Sequence, residues 1–241
     1  YWAGIRIATV ELRHEVEPAD YRFDFEVETV GLVKTITKYR AEASIAGKRE
    51  RFGSLAPVTY SYRSKTRKKT QSALVEFDPN TGDVVGLEIK KRGEPRGTDV
   101  PEALQRDVID PLTAFLELRE LVAKAHAGGK NRLLAAVFDG RHRYDVQATL
   151  TSSERVRIAG RSWPALRVVL DIVPRAGFDD DDLEDLENLG ADDDELRFAV
   201  LFSDDGQMLP LEASTLDSTV SGTISLLEDC SGAAGCRMAA R

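Results

Sequence analysis

Carboxylates are the most concentrated reactive groups in the sequence: the run from Asp179 to Glu195 holds eleven of them and no basic residue. Such a run offers oxygen donors, the ligand type that hard cations such as Ca²⁺ prefer. Seven of its eight aspartates, Asp179, Asp180, Asp181, Asp182, Asp192, Asp193 and Asp194, are the candidate metal ligands. The EF-hand spacing fails, however. With Asp185 as the first loop position Gly190 falls sixth as required, yet Leu189 and Leu196 occupy ligand positions. Residues 178–195 are therefore read as a solvated loop insert, with cation binding and electrostatic docking as its functional readings. Leu183, Leu186 and Leu189, spaced by three, give part of it the pattern of a short amphipathic helix.

The other chemistry-bearing groups are sparse. Cys230 and Cys236 are the only cysteines, and so close a pair suggests a small disulfide loop formed in an oxidising compartment. Free thiols or a metal pair are the alternatives, although a structural zinc site needs two further ligands. Closing so short a loop would add about 2–3 kcal/mol at most, which is enough to pin a tail. His14, His126 and His142 are scattered, and no GxSxG, HExxH, P-loop or dinucleotide fingerprint accompanies them. Neither an enzyme nor a cofactor is expected. Arg63, Lys65, Arg67, Lys68 and Lys69 crowd an expected hairpin tip, where they would meet phosphates of a lipid headgroup or a polysaccharide, or simply keep the turn soluble.

One helix must position whatever site exists. Asp110 can cap it, Pro111 suits its first turn, and Gly128-Gly129 stop it, so residues 110–127 form a helix. At 100° per residue Thr113, Glu117, Glu120 and Lys124 share a narrow polar face. Leu112, Ala114, Phe115, Leu116, Leu118, Leu121, Val122 and Ala125 fill the wide remainder, so the helix needs cover on several sides. Arg119 and His126 project into that apolar arc. A guanidinium cannot shed its proton, so Arg119 requires a carboxylate, a snorkelling route or a bound anion.

Alternation of apolar and polar residues, as in Tyr21-Arg22-Phe23-Asp24-Phe25-Glu26, dominates both sides of that helix. Strands are expected at about 2–16, 20–33, 35–46, 49–63, 67–78 and 83–92, in a meander broken at residues 17–20, Ala46-Gly47-Lys48, 64–66 and 79–83. After the helix they recur at 133–138, 141–150, 154–158, 165–173, 196–202, 209–215 and 219–227. Asp139-Gly140, Ala159-Gly160 and Asp205-Gly206 serve as hairpin turns. The expected fold is mainly β: a single domain spanning 1–241, in which a large curled antiparallel sheet or open barrel wraps one central helix. Residues 1–92 and 131–228 supply its strands.

Composition narrows the function classes. Across 241 residues the net charge is -8 and the pI about 5.1, which disfavours nucleic-acid binding. No apolar run approaches the roughly 20 residues needed to span a bilayer. Trp2, Phe115, Tyr60, Tyr62 and Tyr144 read as core or cavity walls rather than as a stacking platform.

The stretch Ile109-Asp110-Pro111-Leu112-Thr113-Ala114-Phe115-Leu116-Glu117-Leu118-Arg119 resembles the L-D-P-[LA]-S-A-L-Y-x-L-R signature of a bacterial family, domain of unknown function three thousand one hundred and eight. Trp2-Ala3-Gly4-Ile5, Pro57-Val58-Thr59-Tyr60 and Phe138-Asp139-Gly140-Arg141-His142-Arg143-Tyr144 add to the resemblance. Thr113 stands where the family prefers Ser, and the acidic insert is peculiar to this chain. The resemblance implies an exported protein of a Gram-negative periplasm whose signal peptide has been removed, with a lipoprotein-carrier-like or β-spiral sheet. It implies no catalytic residues. The expected role is non-enzymatic cell-envelope maintenance, with a lipid or other amphiphile held between sheet and helix. Arg119 would anchor its headgroup beside Phe115, Leu118 and Val122. Docking to envelope proteins or polymers is the alternative, as is cation binding by the acidic loop.

Overall fold

The computed structural model describes residues 7–49, 54–126, 129, 131–180, 182, 196–216 and 222–226. Two antiparallel sheets enclose one long helix. The first is a seven-stranded meander of β1 (Ala8–Val16), β2 (Asp20–Thr29), β3 (Arg40–Arg49), β4 (Leu55–Lys65), β5 (Thr70–Phe77), β6 (Val84–Lys91) and β7 (Glu94–Arg96), paired in that order. The second holds β8 (Arg132–Phe138), β9 (Arg143–Ile158), β10 (Arg161–Ala176), β11 (Leu196–Ser203), β12 (Pro210–Thr215) and β13 (Thr223–Ser225), again in sequence order. Between the sheets lies α2 (Pro111–His126), while the short α1 (Gly31–Thr37) caps one end of the first sheet. The fold is thus mainly β, built as two sheets rather than one continuous curl.

Strand alternation sets the inner faces. In β3 Ala41, Ala43, Ile45 and Gly47 turn inward while Glu42, Ala46 and Lys48 are exposed. The helix divides the interior into two apolar clusters. Leu112 and Leu116 join Phe23, Ile45, Tyr60, Val75 and Phe138 against the first sheet, whereas Ala114, Leu118, Leu121 and Val122 join Val137, Val168, Leu170 and Phe202 against the second. Each buried Leu or Val side chain contributes about 1.5–3 kcal/mol, so both sheets are bonded to the helix chiefly by burial. Phe115 belongs to both clusters. Its ring lies between Phe23, at 5.7 Å, and Phe202, at 6.0 Å, forming an aromatic rung across the molecule.

The chain crosses from one sheet to the other where α2 begins. Val84 donates its amide to Gln105 O and Val108 donates to Gly82 O, tying the segment after the 3-10 turn Glu102–Leu104 to the first sheet. Ile109 then pairs in parallel with Val137, donating to Ala136 O and accepting from the Phe138 amide.

Several boundaries differ from those expected. Residues 31–37 form α1 rather than extending the strands on either side. Its β-branched composition favours a strand, but left-handed Lys38 (φ 49°) donates to Lys34 O, and Arg67 donates its backbone amide to Thr37 O and its guanidinium to Thr35 O. Part of the basic hairpin tip is therefore a helix cap. The expected strands 141–150 and 154–158 merge into the one strand β9, which starts at Arg143 and absorbs a bulge at Thr151 opposite Arg167 and Val168. Its turn into β10, Ala159 (φ 50°) and Gly160 (φ 76°), has two left-handed residues as a tight hairpin requires. Ala46-Gly47-Lys48 is not a turn: β3 continues to Arg49, and Gly47 lies opposite Tyr21.

That glycine is required by close approach. A Cβ on Gly47 would collide with the Tyr21 ring, whose hydroxyl makes a 2.7 Å hydrogen bond to Thr113 Oγ1 on α2. Replacing Gly47 with Ala should displace the ring and lower stability by about 1–3 kcal/mol, an overpacking cost. Tyr21→Phe should cost about 1 kcal/mol through the lost bond alone. Urea unfolding of the two variants and wild type gives the comparison; a neutral Gly47→Ala would show that Tyr21 has room the packing denies it.

Candidate functional site

The expected helix cap is fully buried. Asp110 is 0% exposed, and its Oδ1 accepts the amides of Leu112 at 2.9 Å and Thr113 at 3.0 Å. Its Oδ2 accepts the Thr113 hydroxyl at 2.5 Å, which leaves the Thr113 oxygen to accept from Tyr21. Desolvation pushes the Asp110 carboxyl up to about 6, against the opposing pull of these donors. Thr113, placed on the polar face by its helical phase, is also 0% exposed. A carboxylate, hydroxyl and phenol in sequence could suggest nucleophile chemistry, but every one is enclosed, so this network orders the helix start.

Nine residues along α2 the interior opens. A cleft of about 260 Å³ is lined by His14, Tyr21, Arg49, Leu55, Leu116, Arg119, Glu120, Ala123 and the turn Gly206–Met208. Arg119 bridges both sheets there. Its Nε donates to Met208 O at 3.2 Å, one terminal nitrogen donates to Gln207 O at 3.0 Å, and the other lies 2.9 Å from Nδ1 of His14. All three partners are uncharged acceptors, because His14 is neutral near pH 7. Desolvation, then Arg119, then Arg49 push its pKa down to about 4, and its ring packs edge-on against Phe23 although its outer rim is exposed. Burial also lowers the Arg119 pKa, with Glu120 acting in the opposite direction. Among the described residues no carboxylate makes an ion pair with Arg119 or Arg49.

The four expected ligand contacts therefore separate. Arg119 borders the cleft, whereas Leu118 and Val122 are 4% and 0% exposed beneath the second sheet, and Phe115 is occupied by its aromatic neighbours. Arg49, His14 and Met208 come from distant parts of the chain, and no spacing in the sequence links them to Arg119. An Arg facing an apolar arc was the one available signal.

A second polar cluster ties down the start of the acidic stretch. His142 Nδ1 lies 2.9 Å from Asp139 Oδ2 and its Nε2 lies 3.2 Å from Asp182 Oδ2, with Arg141 3.3 Å from the same carboxylate and the Phe178 ring tilted against the imidazole at 4.6 Å. Asp182 and Asp179 also exchange bonds with each other's backbone amides. Asp182, proposed above as a metal ligand, is thus engaged with the β8–β9 turn. Asp179 and Asp180 lie beside it, while Asp181, Asp192, Asp193 and Asp194 lie outside the described residues, as do Cys230 and Cys236. Among the described residues no group of three potential ligands could hold a metal, and no helix is long and apolar enough to cross a membrane.

A two-sheet, mainly β protein with a helix between the sheets and a small cationic cleft at their seam is the class so defined. The chain belongs to the family described as "Protein of unknown function (DUF3108)", whose model matches residues 1–220. Among solved structures it is similar to a beta-barrel-like protein of the domain of unknown function DUF1849 from Brucella abortus, at 12% identity and a TM-score of 0.47, over 90% of this chain and 83% of that one. No curated protein matches the sequence.

The His142 cluster gives a signed pH prediction. Desolvation pulls the His142 pKa down, but its bonds and charge interactions with Asp139 and Asp182 outweigh this and raise it; desolvation raises Asp182, but bonds from Asp179 and His142 lower it overall. The stability that His142 contributes is full below its unfolded pKa of about 6.5 and is lost as pH rises through the raised folded value. The Asp182 contribution is lost as pH falls through a value below about 3.9. His142→Gln should therefore destabilise most near pH 5–6 and progressively less toward pH 8, read as the difference between urea midpoints. A pH-independent difference would remove the charged clasp from the account.

Proposed function

We propose that this is a non-enzymatic periplasmic protein of the cell envelope that binds an amphiphile where sheet and helix meet, with Arg119 holding the headgroup. One observation carries the reading: a half-buried guanidinium without a carboxylate partner among the described residues faces a cleft whose other walls include Leu55, Leu116, Ala123 and Met208. A permanent charge beside apolar walls suits a ligand that is anionic at one end and hydrocarbon at the other. The close-packed interior limits how deeply such a ligand enters, because Leu118 and Val122 already fill the space behind the helix. The tail accordingly leaves along the seam. Residence in an oxidising compartment, with Cys230 joined to Cys236, completes the proposal.

Organic extraction of protein purified from its native envelope, followed by lipid mass spectrometry, tests it. A bound anionic amphiphile is expected from wild type, reduced about tenfold or more by Arg119→Met, which preserves much of the side-chain volume. Extracts of folded wild-type protein that contain no amphiphile would sink the reading.

A further inference from the structure

We propose that the cleft is an oxyanion site in which Arg49 and Arg119 grip a phosphate, sulfate or carboxylate group while His14 takes up a proton from water. This rests on placing the ligand site at Arg119, and adds the ligand's chemical class, a second recognition residue and a proton linkage. Arg49 ends β3, α2 carries Arg119, and both stand close enough to His14 to depress its basicity. Among the described residues, one carboxylate lines the cleft with these two positive charges, that of Glu120, while Glu117 lies behind the wall, committed to the Leu55 amide. The cleft thus carries an excess positive charge in a partly desolvated space, where attraction for an anion exceeds that of an exposed arginine pair.

Size restricts the ligand further. The cleft, about 260 Å³, is smaller than the roughly 300–1,000 Å³ pockets that enclose drug-sized ligands. That suffices for an oxyanion and its first few carbons, and not for a whole diacyl lipid. The ligand is either a small free oxyanion or the head of a larger molecule whose remainder lies outside.

His14 supplies the proton linkage through its contact with Arg119. Its Nδ1 lone pair faces a terminal N–H of Arg119 and serves as an uncharged acceptor for that guanidinium. A bound oxyanion replaces it as the acceptor and adds a negative charge beside the ring. The freed Nδ1 lone pair then takes a proton from water and the imidazolium donates to the anion. The charged and titratable groups facing the ring are Arg119 and Glu120 from α2, Arg49 from β3 and Tyr21 from β2, whose hydroxyl is committed to Thr113; the Gln207–Met208 turn presents backbone carbonyls. Net attraction therefore depends on the two arginines outweighing Glu120.

Calorimetry with inorganic sulfate, whose charge is constant between pH 5 and 8, tests the site, and hexyl sulfate provides the amphiphile arm. Sulfate should bind at pH 5.5 and weaken about tenfold or more by pH 8, a fold-change that His14→Gln removes. Arg49→Gln and Arg119→Met should each weaken it about tenfold at pH 5.5, and Glu120→Gln should strengthen it. By NMR, saturating sulfate should raise the His14 midpoint from about 4 by about 2.5 pH units, the rise that a tenfold linkage between pH 5.5 and 8 requires and within the range of an adjacent opposite charge. Hexyl sulfate binding tighter than sulfate assigns the head of an amphiphile; equal or weaker binding assigns a free oxyanion. Either supports the site. Absence of sulfate binding to folded wild type at pH 5.5 overturns it, and pH-independent binding overturns the role of His14. Empty lipid extracts combined with sulfate binding would remove the amphiphile reading and leave the oxyanion site standing, so the two failures are distinguishable.

Discussion

The fold depends on one buried anion. Asp110 lies at the point where the chain leaves the first sheet, pairs with the second and begins its helix, and it is wholly withdrawn from bulk water. Two helix amides, the Thr113 hydroxyl and the positive end of the helix dipole replace that water. Tyr21 extends the chain of donors into β2. The Asp-Pro-Leu-Thr stretch is therefore a joint: it fixes the helix start relative to both sheets at once. Its cost is visible in the raised carboxyl pKa, since the donors only partly offset the desolvation.

Once the helix start is fixed, the phase of α2 determines the rest. Leu112 and Leu116 meet the first sheet, Leu118 and Val122 the second, and Phe115 lies between aromatic rings from each. Such a double contact leaves no room behind the helix for a large ligand. The opening beside the helix lies where a long polar side chain, Arg119, interrupts the arc. Arg119 ties the Gln207–Met208 turn to His14 across that opening, and the cleft is lined by the same residues.

Features written in local sequence were the legible ones. Helix α2, its cap and stop, the alternating strands and the Ala159-Gly160 hairpin all follow from neighbours a few residues apart. What escaped depended on distant partners. Residues 31–37 have a strand-like composition, and their helix is completed by Arg67 from another hairpin; Gly47 resembled a turn because the Tyr21 ring covering it comes from the adjacent strand. Thr113 fell on the polar face by helical phase, but Asp110 and Tyr21 satisfy its hydroxyl in the interior. Of the site, Arg119 was legible as a charge in an apolar arc, while the company of Arg49, His14 and Met208 is created only by the meeting of three elements.

The treatment of other arginines gives Arg119 its significance. Asp145 holds both Arg143, almost fully buried, and Arg175; Glu154 holds Arg167, and Asp171 holds Arg197. Strand pairing, or for Arg143 the two-residue spacing along β9, brings these carboxylates within 3 Å of their partners, so the fold supplies a counter-charge at these arginines. At Arg119 it supplies two carbonyls and a neutral imidazole, and a second arginine beside them. Carbonyls satisfy donors without neutralising charge, so they orient the guanidinium and leave its field available. A charge that is held in place but left uncompensated is what recognition of an anion requires.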